Sequence, residues 1–287
     1  MTTLSLKGIL FCLAVCMAVI LHAGAAVSGQ PWPFPPACQK GGDEAEALFN
    51  EALSYENGIL GKQLDAAKAR RLYEKSLELG NPKAAITLGT LLRTVFANDA
   101  ETREALLQEA NALYQKAIDM GCPEGYFYLA QSYENGWGVP KDQKKQETLR
   151  NKGMEAGSVF SLAACGKGLC ETGEIKKGVA FMEKALEQGF SPIAYELSFT
   201  YLSLRDHKKM IETLRKGAKL GFADCLYVLA QAYSDNFFAL QTTDEEYSNC
   251  FMKLYKEVYL TGTPKPIDLD RICPPRHVER PVPRRVS

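Results

Sequence analysis

The sequence predicts an all-α protein: a right-handed α-solenoid of about six helix–turn–helix repeats, closed by an irregular proline-rich C-terminal tail. Three observations predict it. Six segments end alike, at Ser76-Leu-Glu-Leu-Gly80, Ala117-Ile-Asp-Met-Gly121, Gly153-Met-Glu-Ala-Gly157, Ala185-Leu-Glu-Gln-Gly189, Gly217-Ala-Lys-Leu-Gly221 and Val258-Tyr-Leu-Thr-Gly262. Their glycines stand 41, 36, 32, 32 and 41 residues apart, the period of helix–turn–helix repeats. Eight residues after each of the first five glycines lie Leu88, Leu129, Cys165, Leu197 and Leu229, each followed by a small residue: Gly89, Ala130, Gly166, Ser198 and Ala230. Three further on come Leu92, Tyr133, Leu169, Tyr201 and Tyr233, so an apolar, small and apolar residue recur at i, i+1 and i+4 on one helical stripe. Thirdly, Asp65, Asp142, Asp206 and Asp244 precede the second helical stretch of a unit, where a carboxylate accepts the free N–H groups of the first turn.

Taken in order, the chain opens with the layout of a cleavable signal peptide. Lys7 precedes an apolar run over residues 9–21, and Ala23-Gly24-Ala25 supplies small residues for cleavage, which assigns residues 1–25 to the signal. Residues 26–43 are a proline-rich segment around Pro31-Trp-Pro-Phe-Pro-Pro36, unable to form a helix. Residues 44–262 carry the repeats. The first unit is an irregular cap, because Glu51 breaks the apolar register. Units two and six carry inserts over residues 94–103 and 236–243, and units four and five have shortened loops. Within the second helices, Leu72-Tyr73, Leu113-Tyr114, Phe181-Met182 and Leu254-Tyr255 fill the inner face about two turns before the closing glycine. That glycine suits a left-handed cap. A single helix pair cannot bury its apolar face, so the pairs must stack. Residues 263–287 form a proline- and arginine-rich tail, expected to strap the last helices as far as Cys273.

The third unit reads Leu129-Ala-Gln-Ser-Tyr-Glu-Asn-Gly-Trp-Gly-Val-Pro-Lys-Asp142, with Lys145 after it. It resembles the Sel1-like repeat, a relative of the tetratricopeptide repeat, through Gly136, Gly138, Val139, Asp142 and Lys145; Tyr55-Glu-Asn-Gly58 repeats the opening of that loop. The resemblance covers roughly residues 44–262 and implies an adaptor, regulatory or envelope role in a bacterium. Some proteins of this kind are immunity proteins that bind secreted antibacterial effectors, lipases among them, and some cysteine-rich relatives are linked to β-lactam binding or hydrolysis.

Chemistry is sparse. Gly136-Trp-Gly138 lacks the Lys-Ser/Thr ending of a phosphate loop and follows a helix, so it is read as a turn. Cys165 or Cys170 with His207 is the only conceivable cysteine–histidine pair, and Cys165 stands where other units have leucine. Paired carboxylates such as Glu44 with Glu46, or Asp244-Glu245-Glu246, lie at helix starts, where the helix dipole favours them. Removing the signal leaves seven cysteines, an odd count that requires a free thiol or an intermolecular bond. Cys225 and Cys250, on the two helices of the sixth unit, are the disulfide candidates. Cys165 and Cys170 face about 140° apart on one helix and should not pair. No metal site is expected, since the mature chain has only His207 and His277 and no CxxC.

Basic and acidic residues balance at 34 each, which gives no field to attract nucleic acid. After signal cleavage no stable membrane insertion is expected. The functional expectation is therefore an exported, periplasmic or secreted protein-binding solenoid, an envelope adaptor or scaffold, without catalysis and without cofactor. The alternatives are a periplasmic immunity protein that neutralises a secreted effector such as a type VI lipase, and a β-lactam-binding or hydrolysing relative. Positions seven and ten after each glycine fall off the buried stripe and should face the concave surface built from first helices. Those chosen as contacts are Tyr128, Gln131, Lys167, Phe199 and Gln231, with Tyr128 and Phe199 as exposed aromatic anchors.

Overall fold

A computed structural model describes residues 34, 38, 41–58, 61–94, 99–234, 244–261 and 266–275. Residues 1–25, expected to be a signal, lie outside the described residues, as does the whole of the insert at 236–243. Twelve helices form six hairpins: α1 (Gly42–Asn57) with α2 (Ala66–Glu78), α3 (Pro82–Thr94) with α4 (Ala100–Asp119), α5 (Glu124–Asn135) with α6 (Gln143–Glu155), α7 (Val159–Glu171) with α8 (Ile175–Glu187), α9 (Ile193–Ser203) with α10 (His207–Lys219), and α11 (Ala223–Ser234) with α12 (Glu245–Thr261). A single turn, α13 (Leu269–Ile272), follows, and no strand occurs among the described residues. The hairpins stack in chain order, so the molecule is an α-solenoid.

Local chemistry sets the helix ends. The carboxylates of Asp65, Asp142, Asp206 and Asp244 accept from the N–H groups of Lys68, Lys145, Lys209 and Tyr247 at 2.9–3.0 Å. Each of the five described closing glycines holds a positive φ, between 83° and 92°. The residue after each donates back to a last-turn carbonyl, as Asn81 N–H does to Ser76 at 3.1 Å and Cys122 N–H to Ala117 at 2.9 Å. This is the glycine cap that satisfies otherwise orphaned carbonyls. One expectation is corrected: residues 94–103 are not all insert. Asp99 caps a helix there, accepting from the N–H of Thr102 at 2.7 Å, and α4 absorbs the added length as extra turns.

The apolar stripe is the core. Leu88, Leu129, Leu197 and Leu229 are buried, as are all five small residues beside them. Close crossing explains why they are small. A Cβ on Gly89 would stand 2.5 Å from a ring carbon of Tyr114, and one on Gly166 would stand 2.7 Å from Met182 and 2.8 Å from the backbone oxygen of Gly178.

Two disulfides tie the ends of the array. Cys38–Cys122 joins the N-terminal segment to the start of the third hairpin, and Phe34 lies 6.4 Å from both Phe49 of α1 and Phe160 of α7. Cys250–Cys273 straps the C-terminal segment to α12. Asp270 adds contacts to Arg215 at 2.7 Å and Lys219 at 2.5 Å, and Leu269 and Cys273 are fully buried. The expected Cys225–Cys250 pairing is wrong. Cys225 is a buried free thiol that faces backwards onto α10, where a Cβ on Gly217 would fall 2.6 Å from its sulfur. Gly125, at the equivalent step, likewise packs on the preceding α4. That step points away from the second helix of its own pair, so it cannot reach Cys250. Cys165 and Cys170 are also free.

Candidate binding surface

First helices touch one another across hairpins, α3 with α5, α5 with α7 and α9 with α11, while second helices pack on the first helix of their own and the next pair. First helices thus form the inner layer, in which successive hairpins lie closest together. Ten residues after each glycine, this layer presents Thr90, Gln131, Lys167, Phe199 and Gln231. Lys167 is exposed and the others are half-buried. They do not form one cluster, since each engages its own surroundings. Gln131 accepts from Arg93 at 2.9 Å, Lys167 lies 3.5 Å from Glu196, and the Phe199 ring is 4.9 Å from that of Tyr195.

Tyr128 departs from expectation. Its ring stacks on Tyr114 at 5.2 Å and meets Phe127 and Phe160 edge-on at 5.2 and 6.0 Å. Burial pushes its phenol pKa up. Tyr128 is half-buried in an aromatic seam between hairpins rather than an exposed anchor, because Phe160 of the next hairpin packs edge-on against its ring. Phe199 is half-buried against Tyr195, so it is a partial anchor.

Two residues of this surface escape the sequence reading. Arg93 lies over the rings of Trp137 and Tyr128, at 4.8 and 5.8 Å. Trp137 sits in the loop read only as a turn, and that loop is fixed to α4: Asn111 donates to the Trp137 carbonyl at 2.7 Å, and a Cβ on Gly138 would fall 2.6 Å from the backbone of Leu107. The available signal was the position of Arg93, three residues after Thr90 on the same helical face.

The thiols are poorly suited to nucleophilic work. Burial raises the pKa of Cys165 and Cys170, and that of Cys225 well above its ordinary value, whereas a reactive cysteine needs the opposite shift. Glu46, one of the paired carboxylates, binds Lys83 at 2.5 Å. Among the described residues no group of three His, Cys, Asp or Glu could hold a metal, and no helix is long and apolar enough to cross a membrane. On the outer side a cleft of about 170 Å³ is lined by Arg70, Glu74, Leu88, Glu109 and neighbours, and the Arg70–Glu74 ion pair spans 2.8 Å within it.

The Sel1 repeat family profile matches residues 45–81, 106–122, 123–145 and 160–190. No curated protein matches the chain. Among solved structures, an immunity protein from Pseudomonas aeruginosa superposes with a TM-score of 0.64 at 23% identity, covering 80% of this chain and 86% of that one. A second immunity protein from the same organism gives 0.60 at 21% identity, over 77% and 84% of the two chains. A Sel1 repeat protein from Oxalobacter formigenes gives 0.51 at 16% identity, over 74% and 87%. The four matched segments, with the capped loops and glycine-closed hairpins within them, show that the chain carries Sel1 repeats, and the stacking is shared with these structures.

Proposed function

We propose that the chain is an exported solenoid that binds another protein along its inner layer and catalyses no reaction. The observation that supports this reading is the row of Thr90, Gln131, Lys167, Phe199 and Gln231, offered at one step of five consecutive first helices. Solenoids use such extended inner surfaces for binding. Residues 1–25 read as a signal, and the two disulfides support an oxidising compartment, where such bonds persist. The test is a fractionation of cells expressing the tagged full chain, followed by isolation of the complex formed with the product of the adjacent gene. Periplasmic or secreted recovery and a stoichiometric complex that weakens in a Gln131→Ala, Phe199→Ala double variant are expected. Cytoplasmic recovery of the full chain rejects export, and unchanged affinity in the variant moves the interface off this row.

A second reading, immunity against a secreted antibacterial effector, is favoured by one specific observation. The fold likeness to two immunity proteins spans 80% and 77% of this chain. Neutralising a toxin in the same compartment requires only tight binding. Under this reading the full chain protects a sensitive cell from the effector, and a version lacking residues 1–25 does not.

A further inference from the structure

At the C-terminal end of α3, Arg93 extends beside the loop that follows α5. Its guanidinium lies over the Trp137 ring at 4.8 Å and near the Tyr128 ring at 5.8 Å, and Nη1 donates to Oε1 of Gln131 at 2.9 Å. A side chain held by two rings and an amide has given up much of its rotamer freedom before any ligand arrives. Other half-buried arginines show what this fold ordinarily places against a guanidinium. Arg70 holds Glu74 at 2.8 Å, Arg150 holds Glu134 at 2.9 Å, and Arg215 holds Asp270 at 2.7 Å. Arg93 has no carboxylate within ion-pair distance among the described residues. Gln131 occupies one of five donors and neutralises none of the charge. In the same aromatic stack, Tyr114 is fully buried with its ring against Gly89, one turn before Arg93.

We propose that Arg93, Gln131 and Trp137 form a carboxylate-binding site on the inner layer, which takes an aspartate or glutamate side chain of a protein partner. The site rests on the protein-binding reading and names the chemistry of the contact. A planar guanidinium offers a carboxylate two parallel hydrogen bonds, and the flanking rings limit competing water. Trp, Tyr and Arg are the residue types that dominate interface energetics. A phosphate-rich partner would call for several free cations, but Lys167, the cation of the next hairpin's row, is already engaged with Glu196 at 3.5 Å.

The test uses the whole mature chain with its disulfides intact and two probes, acetyl-tetraglutamate amide and acetyl-tetraglutamine amide. The indole N–H resonance of Trp137, assigned with Trp137→Phe, is the readout. Expected is a saturable shift with the glutamate peptide only, an affinity at least tenfold lower in Arg93→Gln, and an affinity within twofold of the parent in Lys176→Gln, at an exposed lysine of α8 outside the row. Arg93→Lys keeps the charge and the stem and should bind several-fold more weakly, which keeps the test decisive if Arg93→Gln loses its helical spectrum. Equal binding of the glutamine peptide, no shift at Trp137, or parental affinity in Arg93→Lys and every folded Arg93 variant overturns the site. If the variants lose the peptide but hold a whole partner unchanged, the site is not part of the interface and the protein-binding reading stands. If the peptide binds at Arg93 while no protein does, the carboxylate site stands and that reading falls.

Discussion

The hydroxyl of Ser158 donates to the carboxyl of Glu124 at 2.5 Å across the joint between the third and fourth hairpins. Glu124 sits in the first turn of α5, yet it accepts from the N–H of Val159 at 2.9 Å and of Phe160 at 3.4 Å, so it caps the helix of the next hairpin. Burial pushes its pKa up from the usual 4.5 to about 7, against the opposing pull of those three hydrogen bonds. The folded chain therefore holds this proton more tightly than the unfolded chain does. The stabilisation is fully present below the unfolded pKa and is lost as pH rises through about 7. Urea midpoints should fall between about pH 5 and about pH 8, by at most about 3 kcal/mol from this group. Glu124→Gln should flatten that slope. A slope identical in both proteins rejects the assignment.

Gly166→Leu should destabilise the fourth hairpin by at least about 1–3 kcal/mol, because the added side chain meets backbone at Gly178 and Met182 as well as the Met182 side chain. Lys167→Leu, one residue along, loses only an exposed ion pair with Glu196, worth about 0–1 kcal/mol. Chemical denaturation of the two variants checks this, and equal losses would contradict the placement of the stripe.

Thiol labelling of the unfolded, unreduced mature chain should mark Cys165, Cys170 and Cys225 and leave Cys273 unmarked. Label on Cys273 with Cys225 protected would restore the sequence-based pairing. Cys38→Ser should cost about 2–4 kcal/mol, since the bond it removes links residues 84 apart in sequence. Cys225→Ala should cost less, because it removes one buried sulfur and no crosslink.

Tyr128→Ala should lower stability by about 2–3 kcal/mol, less than for a fully buried ring, as a half-buried ring of the seam with Tyr114 and Phe160. Gln131→Ala should stay within about 1 kcal/mol of the parent, because it removes one partly exposed hydrogen bond. Comparable losses in the two melting curves would show that Tyr128 is a surface residue after all.

What the sequence determined by itself is local. Aspartate caps, closing glycines and the apolar–small–apolar stripe act within one or two helical turns, so Asp65 predicts its bond to Lys68 and Gly89 predicts a close crossing without knowledge of the superhelix. The tertiary structure decided whatever depends on which way a helix step faces in the stack. Step four points back onto the previous hairpin, which isolates Cys225 from Cys250 and frees Cys250 to pair with Cys273, beyond the repeats. Phe160 of the next hairpin meets the Tyr128 ring, which draws Tyr128 into the seam. Glu124 and Ser158, 34 residues apart, and Arg93 and Gln131, 38 apart, meet only because successive hairpins stack at a fixed offset. Unequal repeat lengths hide that offset from the sequence, because it is set by the side-chain volumes packed between neighbouring hairpins rather than by any periodic residue.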